Sequence, residues 1–159
     1  MRIGIISDTH GLLRREVFER FAGVEHILHA GDVGPAHILT ELEAIAPVTA
    51  VWGNTDGFEI RRRVPEIARV ELGGVSIVVL HGMQLGSPTA EKAAKAHPDA
   101  GLVVFGHSHQ PVVRRVGSVL AVNPGSAGPQ RFRDPITCAL GTIGDGTVSV
   151  ELVTLRNER

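Results

Sequence analysis

The 159-residue sequence predicts an α/β fold, a sandwich of two facing β-sheets with helices outside at least one of them. Three observations predict it. Over the first half, apolar strands alternate with amphipathic helical stretches, the order that makes parallel strands with helical crossovers. Over the second half, paired apolar runs read as hairpins, which supply antiparallel strands. The length suits one domain, residues 1–159, and 43% hydrophobic with 21% charged residues is an ordinary globular composition.

In chain order, IGIIS (3–7) is the first strand. Leu13, Val17 and Phe21 recur every four residues and predict a helix. HILHA (26–30) is a strand. Pro35 opens a second helix carrying Ile38, Leu42 and Ile45, and Pro47 stops it. VTAVW (48–52) is the third strand. RVELGGVSIVVL (69–80) is a hairpin turned at Gly73–Gly74. Ser87–Pro88 caps and starts a third helix, rich in Ala and Lys, that runs to about His97. LVVF (102–105) is a further strand, and 112–122 and 136–153 are two further hairpins.

Bulk properties exclude several function classes. A formal net charge of −1 argues against a general electrostatic grip on nucleic acid or an anionic membrane. No apolar run approaches the ~20 residues of a membrane span. The start, MRIGIISDTH, reads as mature structure and not as a signal peptide, because its short apolar run ends in Asp8. Cys138 is the single cysteine, so no intrachain disulfide forms and the cytoplasm is the expected compartment.

Polar groups follow five of the apolar runs: Asp8-Thr9-His10, Gly31-Asp32, Gly53-Asn54-Thr55-Asp56, His81-Gly82 and Gly106-His107-Ser108-His109. Sheets of parallel type gather ligands beyond the carboxyl ends of their strands. Residues two apart in an extended segment point the same way, so Asp8 with His10, and His107 with His109, are expected to face a common point. Carboxylate oxygens mixed with imidazole nitrogens suit a first-row divalent ion. Seven such side chains exceed what one open ion takes. They suit two ions sharing a carboxylate, the clamp for in-line displacement at phosphorus. Each signal alone has a plain turn or packing explanation; the ordered set of five does not.

In the order D-x-H, GD, GN, HG, GH-x-H, the chain resembles the calcineurin-like metallophosphoesterases. The resemblance runs from Asp8 to His109, extended by Asn123-Pro124-Gly125-Ser126 and the closing hairpin. The short length and the GNTD form are similar to the small bacterial and archaeal phosphodiesterase branch, and the eukaryotic retromer subunit of the same fold is a further relative. The resemblance implies a four-layer αββα sandwich of two mixed β-sheets with flanking helices. It implies that Asp8, His10, Asp32 and His109 hold one metal, and Asp32, Asn54, His81 and His107 the other. The implied activity is hydrolysis of phosphodiester bonds by in-line attack of a hydroxide shared by two divalent ions. Manganese is the expected ion, with iron, zinc, cobalt and nickel as alternatives. The expected partner is a small phosphodiester substrate; the chain carries no strong nucleic-acid signature, no membrane is expected, and a homo-oligomer is compatible. The alternative class is a non-catalytic, metal-binding interaction scaffold. The complete ligand set favours catalysis, because each unpaired polar group costs desolvation energy.

Larger members of that family place a histidine directly after the asparagine, where it is thought to protonate the leaving group. Here that residue is Thr55, and a hydroxyl is a poor general acid at neutral pH. Esters with acidic leaving groups are therefore expected to be preferred, and diesters over alkyl monoesters. Among other candidates, His29 reads as a strand histidine or a hydrogen-bonding support, and His26, His37 and His97 as exposed or core-edge residues. Arg61-Arg62-Arg63 reads as a solvated face before a phosphate contact; Arg131 and Arg133 read the same way. Asn123–Ser126 reads as a tight turn with Pro and Gly in type II positions, and the resemblance implies a supporting role for it near the metals. Cys138 packs inside a strand.

Overall fold

The computed structural model describes residues 1–157. Two five-stranded sheets face each other among these residues. The first has the order β10-β9-β1-β2-β3. It comprises β1 (Arg2–Ile6), β2 (His26–His29), β3 (Val48–Ala50), β9 (Thr137–Gly144) and β10 (Thr147–Thr154). The second has the order β4-β5-β6-β8-β7. It comprises β4 (Ile67–Leu72), β5 (Val75–Leu80), β6 (Leu102–Val104), β7 (Val112–Val116) and β8 (Val119–Asn123). Both sheets are mixed. β1, β2 and β3 run parallel, as do β5, β6 and β8, and antiparallel strands complete each sheet.

Side chains that alternate across a strand explain the layering. Ile5 belongs to the apolar layer between the sheets, while its neighbour Ile6 packs outward with Val17, Phe21, Ile38 and Leu42. Val79 and Val104 join the central layer, while Val78 and Val103 pack outward against Ala90, Ala93 and Ala94. Strands covered on both faces read as continuous apolar runs. The helices α1 (Arg15–Arg20) and α2 (His37–Glu43) thus cover the first sheet, and α4 (Ala90–Ala96) covers the second. This is the expected four-layer sandwich.

Some boundaries differ from expectation. The third helix starts at Ala90 and not at Ser87–Pro88: Thr89 is its N-cap, and the Thr89 hydroxyl accepts the Lys92 N–H at 3.1 Å. The Ser87 carbonyl instead accepts the Lys92 ammonium at 2.9 Å. The second helix starts at His37, two residues after Pro35. β3 stops at Ala50, because Trp52 turns its N–H to the Pro65 carbonyl. A short helix, α3 (Phe58–Arg61), and a 3₁₀ turn at Met83–Leu85 lack apolar periodicity long enough to be read from sequence. The hairpin turn at Gly73–Gly74 is as expected, with φ of 54° and 81°. No helix among the described residues is long and apolar enough to cross a membrane.

Candidate metal centre

The carboxyl ends of β1, β2 and β3 in one sheet and of β5 and β6 in the other meet at one end of the sandwich. There the structure brings all seven predicted residues together. His109 Nε2 lies 3.2 Å, and His10 Nε2 3.7 Å, from Asp8 Oδ1. His81 Nε2 lies 3.2 Å from Asp32 Oδ2 and 3.9 Å from Asp8 Oδ1, and His10 Nε2 is 3.7 Å from Asp32 Oδ2. His107 Nδ1 sits 3.1 Å from Asn54 Oδ1 and 3.3 Å from His81 Nε2. Two groups have ligand atoms within 4.8 Å of one another: Asp8, His10 and His109, and Asp8, Asp32 and His81.

The backbone route differs from the expected extended strand ends. Asp8, His10, Asp32, His107 and His109 all have positive φ, between 45° and 73°. Left-handed backbone is uncommon away from glycine and concentrates at functional sites. His107 and His109 consequently do not share one point: His109 goes to Asp8, and His107 to Asn54 and His81. Close approach requires glycine at two positions. A Cβ on Gly53 would stand 2.2 Å from Asp32 Oδ1, and one on Gly106 would stand 2.6 Å from Asp8 Oδ2.

Surrounding donors select which ligand atoms face the centre. Ser7 donates its hydroxyl to Asp8 Oδ2 at 2.6 Å, and the His107 N–H reaches the same oxygen at 3.3 Å. The Thr55 N–H donates to Asp32 Oδ1 at 3.0 Å. His81 Nδ1 lies 2.8 Å from the Ala30 carbonyl, so Nδ1 carries a proton and Nε2 is the atom turned to Asp32 and left to serve as a ligand once it is deprotonated. Asp8 Oδ1 and His10 Nε2 are buried without any hydrogen-bond partner. Uncompensated buried polar atoms are costly, and an oxygen and a nitrogen orphaned side by side fit a first-row divalent cation. On this donor set the residues fit divalent metal.

Electrostatics agree. Burial opposes ionisation of Asp8, but His10, His109, His81 and Ser7 outweigh it and hold its carboxyl well below the usual range. Burial likewise opposes ionisation of Asp32, yet His81 and the Thr55 N–H bring it down to about 2. Burial disfavours the charged His81, but Asp32 and Asp8 raise it overall. His107 is lowered, chiefly by burial and next by His81.

The supporting residues are those that sequence reasoning missed or left open. Asp56, 5% exposed, accepts the N–H groups of Val33, Gly34 and Gly53 and so ties the Asp32 loop to the Asn54 loop. His29 is a support, as expected, and not a ligand. The Gly31 N–H donates to His29 Nδ1, so Nε2–H donates to Thr9 Oγ1, and Thr9 donates to the Val33 carbonyl. Burial lowers His29 to about 4, which keeps it neutral. Arg61 stacks on Trp52, 4.1 Å from its centroid, and donates to the Asp56 carbonyl at 2.7 Å. Arg62 lies over Phe58, and Arg63 pairs with Glu43, so the arginine run is largely tied to its own surroundings. In the Asn123–Ser126 turn, Gly125 has φ of 78°, Ser126 donates to the Asp8 carbonyl, and Asn123 donates to the Gly106 carbonyl. Ser7 and Thr9 beside Asp8, and Thr55 beside Asn54, were the signal available for these supports. His26 is half-buried beside Thr49, His37 is exposed beside Glu41 and His97 is half-buried. Cys138 is core packing, and burial pushes its thiol up to about 12.

Comparison with known proteins follows the same lines. The calcineurin-like phosphoesterase superfamily domain matches residues 1–146. A probable metallophosphoesterase of Methanothermobacter thermautotrophicus is 37% identical over 156 residues, covering 91% of this chain and 88% of that protein. A phosphodiesterase of Methanocaldococcus jannaschii is 31% identical over 144 residues, covering 79% of this chain and 83% of that protein. In fold, the chain is similar to wild-type Vps29 from Entamoeba histolytica, a structure complexed with zinc. There the TM-score is 0.77 at 23% identity, covering 97% of this chain and 99% of that one.

Proposed function

The chain belongs to the calcineurin-like phosphoesterase superfamily, and from that membership we propose that it is a phosphodiesterase working with two divalent ions on a small phosphodiester. One observation carries this reading: Asp8 Oδ1 and His10 Nε2 are buried side by side without hydrogen-bond partners. Asp8, His10, Asp32 and His109 would hold one ion; Asp32, Asn54, His81 and His107 would hold the other. When bound, such ions neutralise charge on the phosphoryl oxygens and ready water for in-line attack at neutral pH. The protein's own part is to fix the ligand atoms. Ser7 and Thr55 orient the two carboxylates, the Ala30 carbonyl sets the His81 tautomer, and Asp56 braces two loops. Manganese is the expected ion, and zinc is a natural alternative for the same N/O ligands. An unpaired cysteine and the absence of a long apolar helix among the described residues are compatible with the cytoplasm.

Hydrolysis of bis(p-nitrophenyl) phosphate tests the reading. Turnover is expected with Mn²⁺, to be abolished by a chelator, and to fall more than about 100-fold in Asp32→Asn and His109→Ala. Metal binding by calorimetry with no turnover under any divalent ion would instead favour a non-catalytic scaffold of the same fold.

A further inference from the structure

Residues 126–136 form a loop between β8 of the second sheet and β9 of the first, and its base stands on the metal centre. Ser126 and Ile136 pair across the base, Ser126 Oγ donates to the Asp8 carbonyl at 3.0 Å, and the Ala127 N–H donates to the Ser7 carbonyl at 3.1 Å. On the returning arm, Asp134 accepts the side-chain amide of Gln110, the residue that follows His109, at 3.4 Å. Both arms therefore border the Asp8, His10, His109 group. The tip is braced. The Asp134 N–H closes a four-residue turn on the Arg131 carbonyl at 3.0 Å. Gln130 donates to the Asp134 carbonyl and accepts from Asn157, each at 3.0 Å.

This braced turn presents Arg131, Phe132 and Arg133 to solvent. Phe132 is 97% exposed, at a left-handed φ of 52°. A bulky aromatic in that backbone region is an outlier, and an exposed ring gains no burial in return. Neither the Arg131 nor the Arg133 side chain has a hydrogen-bond or ion-pair partner among the described residues. A flat ring between two unpaired guanidinium groups suits a flat, anionic ligand, by stacking and by charge-assisted hydrogen bonds to phosphate.

Resting on the phosphodiesterase reading above, we infer that the Arg131-Phe132-Arg133 turn selects phosphodiesters whose non-leaving arm carries a nucleobase-type ring and a further phosphate. Phe132 stacks on the ring, and the two arginines pair with the second phosphate. Arg131 and Arg133 leave the solvated-face reading of the sequence for a substrate contact.

Three p-nitrophenyl esters with one leaving group test this: methyl, thymidine 5′, and thymidine 3′-phosphate 5′. In the wild type, kcat/KM rises about 10-fold from the first to the second, and rises again to the third, through KM. Phe132→Asn removes the ring but keeps a residue that accepts left-handed backbone; it erases the first step, and Phe132→Trp retains it. The double change Arg131→Gln with Arg133→Gln erases the second step. Equal losses on all three esters, or no change in their ratios, overturn the inference. If none is hydrolysed with Mn²⁺, Co²⁺ or Zn²⁺, the phosphodiesterase reading falls, and calorimetry still decides the recognition. Thymidine 3′,5′-bisphosphate should bind Mn²⁺-treated protein about 10-fold tighter than methyl phosphate does. That gap narrows in Phe132→Asn and closes when Arg131→Gln and Arg133→Gln are added; equal affinities in the wild type overturn the inference.

Discussion

Thr55 holds Asp32 through its backbone N–H and leaves its own side chain exposed at the rim of the metal centre. Replacing that side chain removes its own contribution to lowering Asp32 but keeps the backbone N–H that orients the carboxylate. A histidine there supplies an imidazole that titrates near pH 6.5, suited to protonate a poor leaving group. In Thr55→His, kcat/KM on an alkyl diester is expected to rise at least about 10-fold relative to an aryl diester. If the wild type already cleaves both at similar rates, the threonine is not what limits leaving-group departure. Asp56 shows a different kind of residue effect. Its carboxylate satisfies three backbone N–H groups from two loops, so Asp56→Ala strands buried donors. A loss of about 2–4 kcal/mol is expected in urea unfolding, with weaker metal binding. The seven converging residues were legible because side-chain type and position after an apolar run already limit their chemistry. Their left-handed backbone was not legible, because Asp and His carry no signal for it as glycine does. Arg14 was equally invisible: its guanidinium is buried against the carbonyls of Ala127 and Gly128, more than a hundred residues away in the chain.

Strands and their ends carry the site, and the tightest joint lies between the end of β3 and the Asp32 loop. A Cβ on Gly53 would meet Asp32 Oδ1 at 2.2 Å and the Asp32 backbone nitrogen at 2.5 Å. Backbone cannot yield as a flexible side chain does, so Gly53→Ala must push the two loops apart. Overpacking of this kind costs about 1–3 kcal/mol, and it moves one ligand segment against another. At Gly144, the end of β9, an added Cβ would have no neighbour within 4 Å, and φ is ordinary, so Gly144→Ala serves as the reference. Thermal unfolding and Mn²⁺ titration should show loss of stability and at least about 10-fold weaker metal binding in Gly53→Ala, with Gly144→Ala near the wild type. Equal behaviour of the two variants contradicts the tight joint. Element type was readable where apolar runs are buried on both faces, and turns where Gly pairs close them. Lateral order was not readable. β9 lies beside β1, pairing Arg2 with Thr142, and no local pattern encodes a partner so distant in sequence. Helix starts slipped for a related reason, since Pro35 and Ser87 are compatible with starts that packing places two or three residues later.

For the molecule as a whole, proton and metal binding compete at the same end of the sandwich. Burial lowers His29 to about 4, and burial also lowers His26 and His97. The unfolded chain then binds more protons than the folded one below about pH 6.5, so stability is lost as pH falls from there toward 4. For His29 alone that loss approaches about 3 kcal/mol at the acid end. His81 has the opposite sign. Burial opposes its charge, but Asp32 and Asp8 raise it, so its contribution is complete below the unfolded value and lost as pH rises through the folded one. Asp8 and Asp32, both lowered, add their loss only below about pH 4. With a chelator present, stability should therefore peak near pH 6.5. Metal ligands must be deprotonated, so Mn²⁺ displaces the His81 proton and removes the alkaline decline. Binding also adds about 2.7 kcal/mol at a hundredfold excess over Kd, or about 5–10 °C in Tm for a chain of this size. Thermal melts from pH 5 to pH 8, with chelator and with excess Mn²⁺, measure both effects. The two curves should diverge as pH rises, with the Mn²⁺ curve continuing upward past the chelator maximum. A constant gap across that range would mean that His81 does not exchange its proton for metal, and a zero gap would mean that the converging side chains hold no ion.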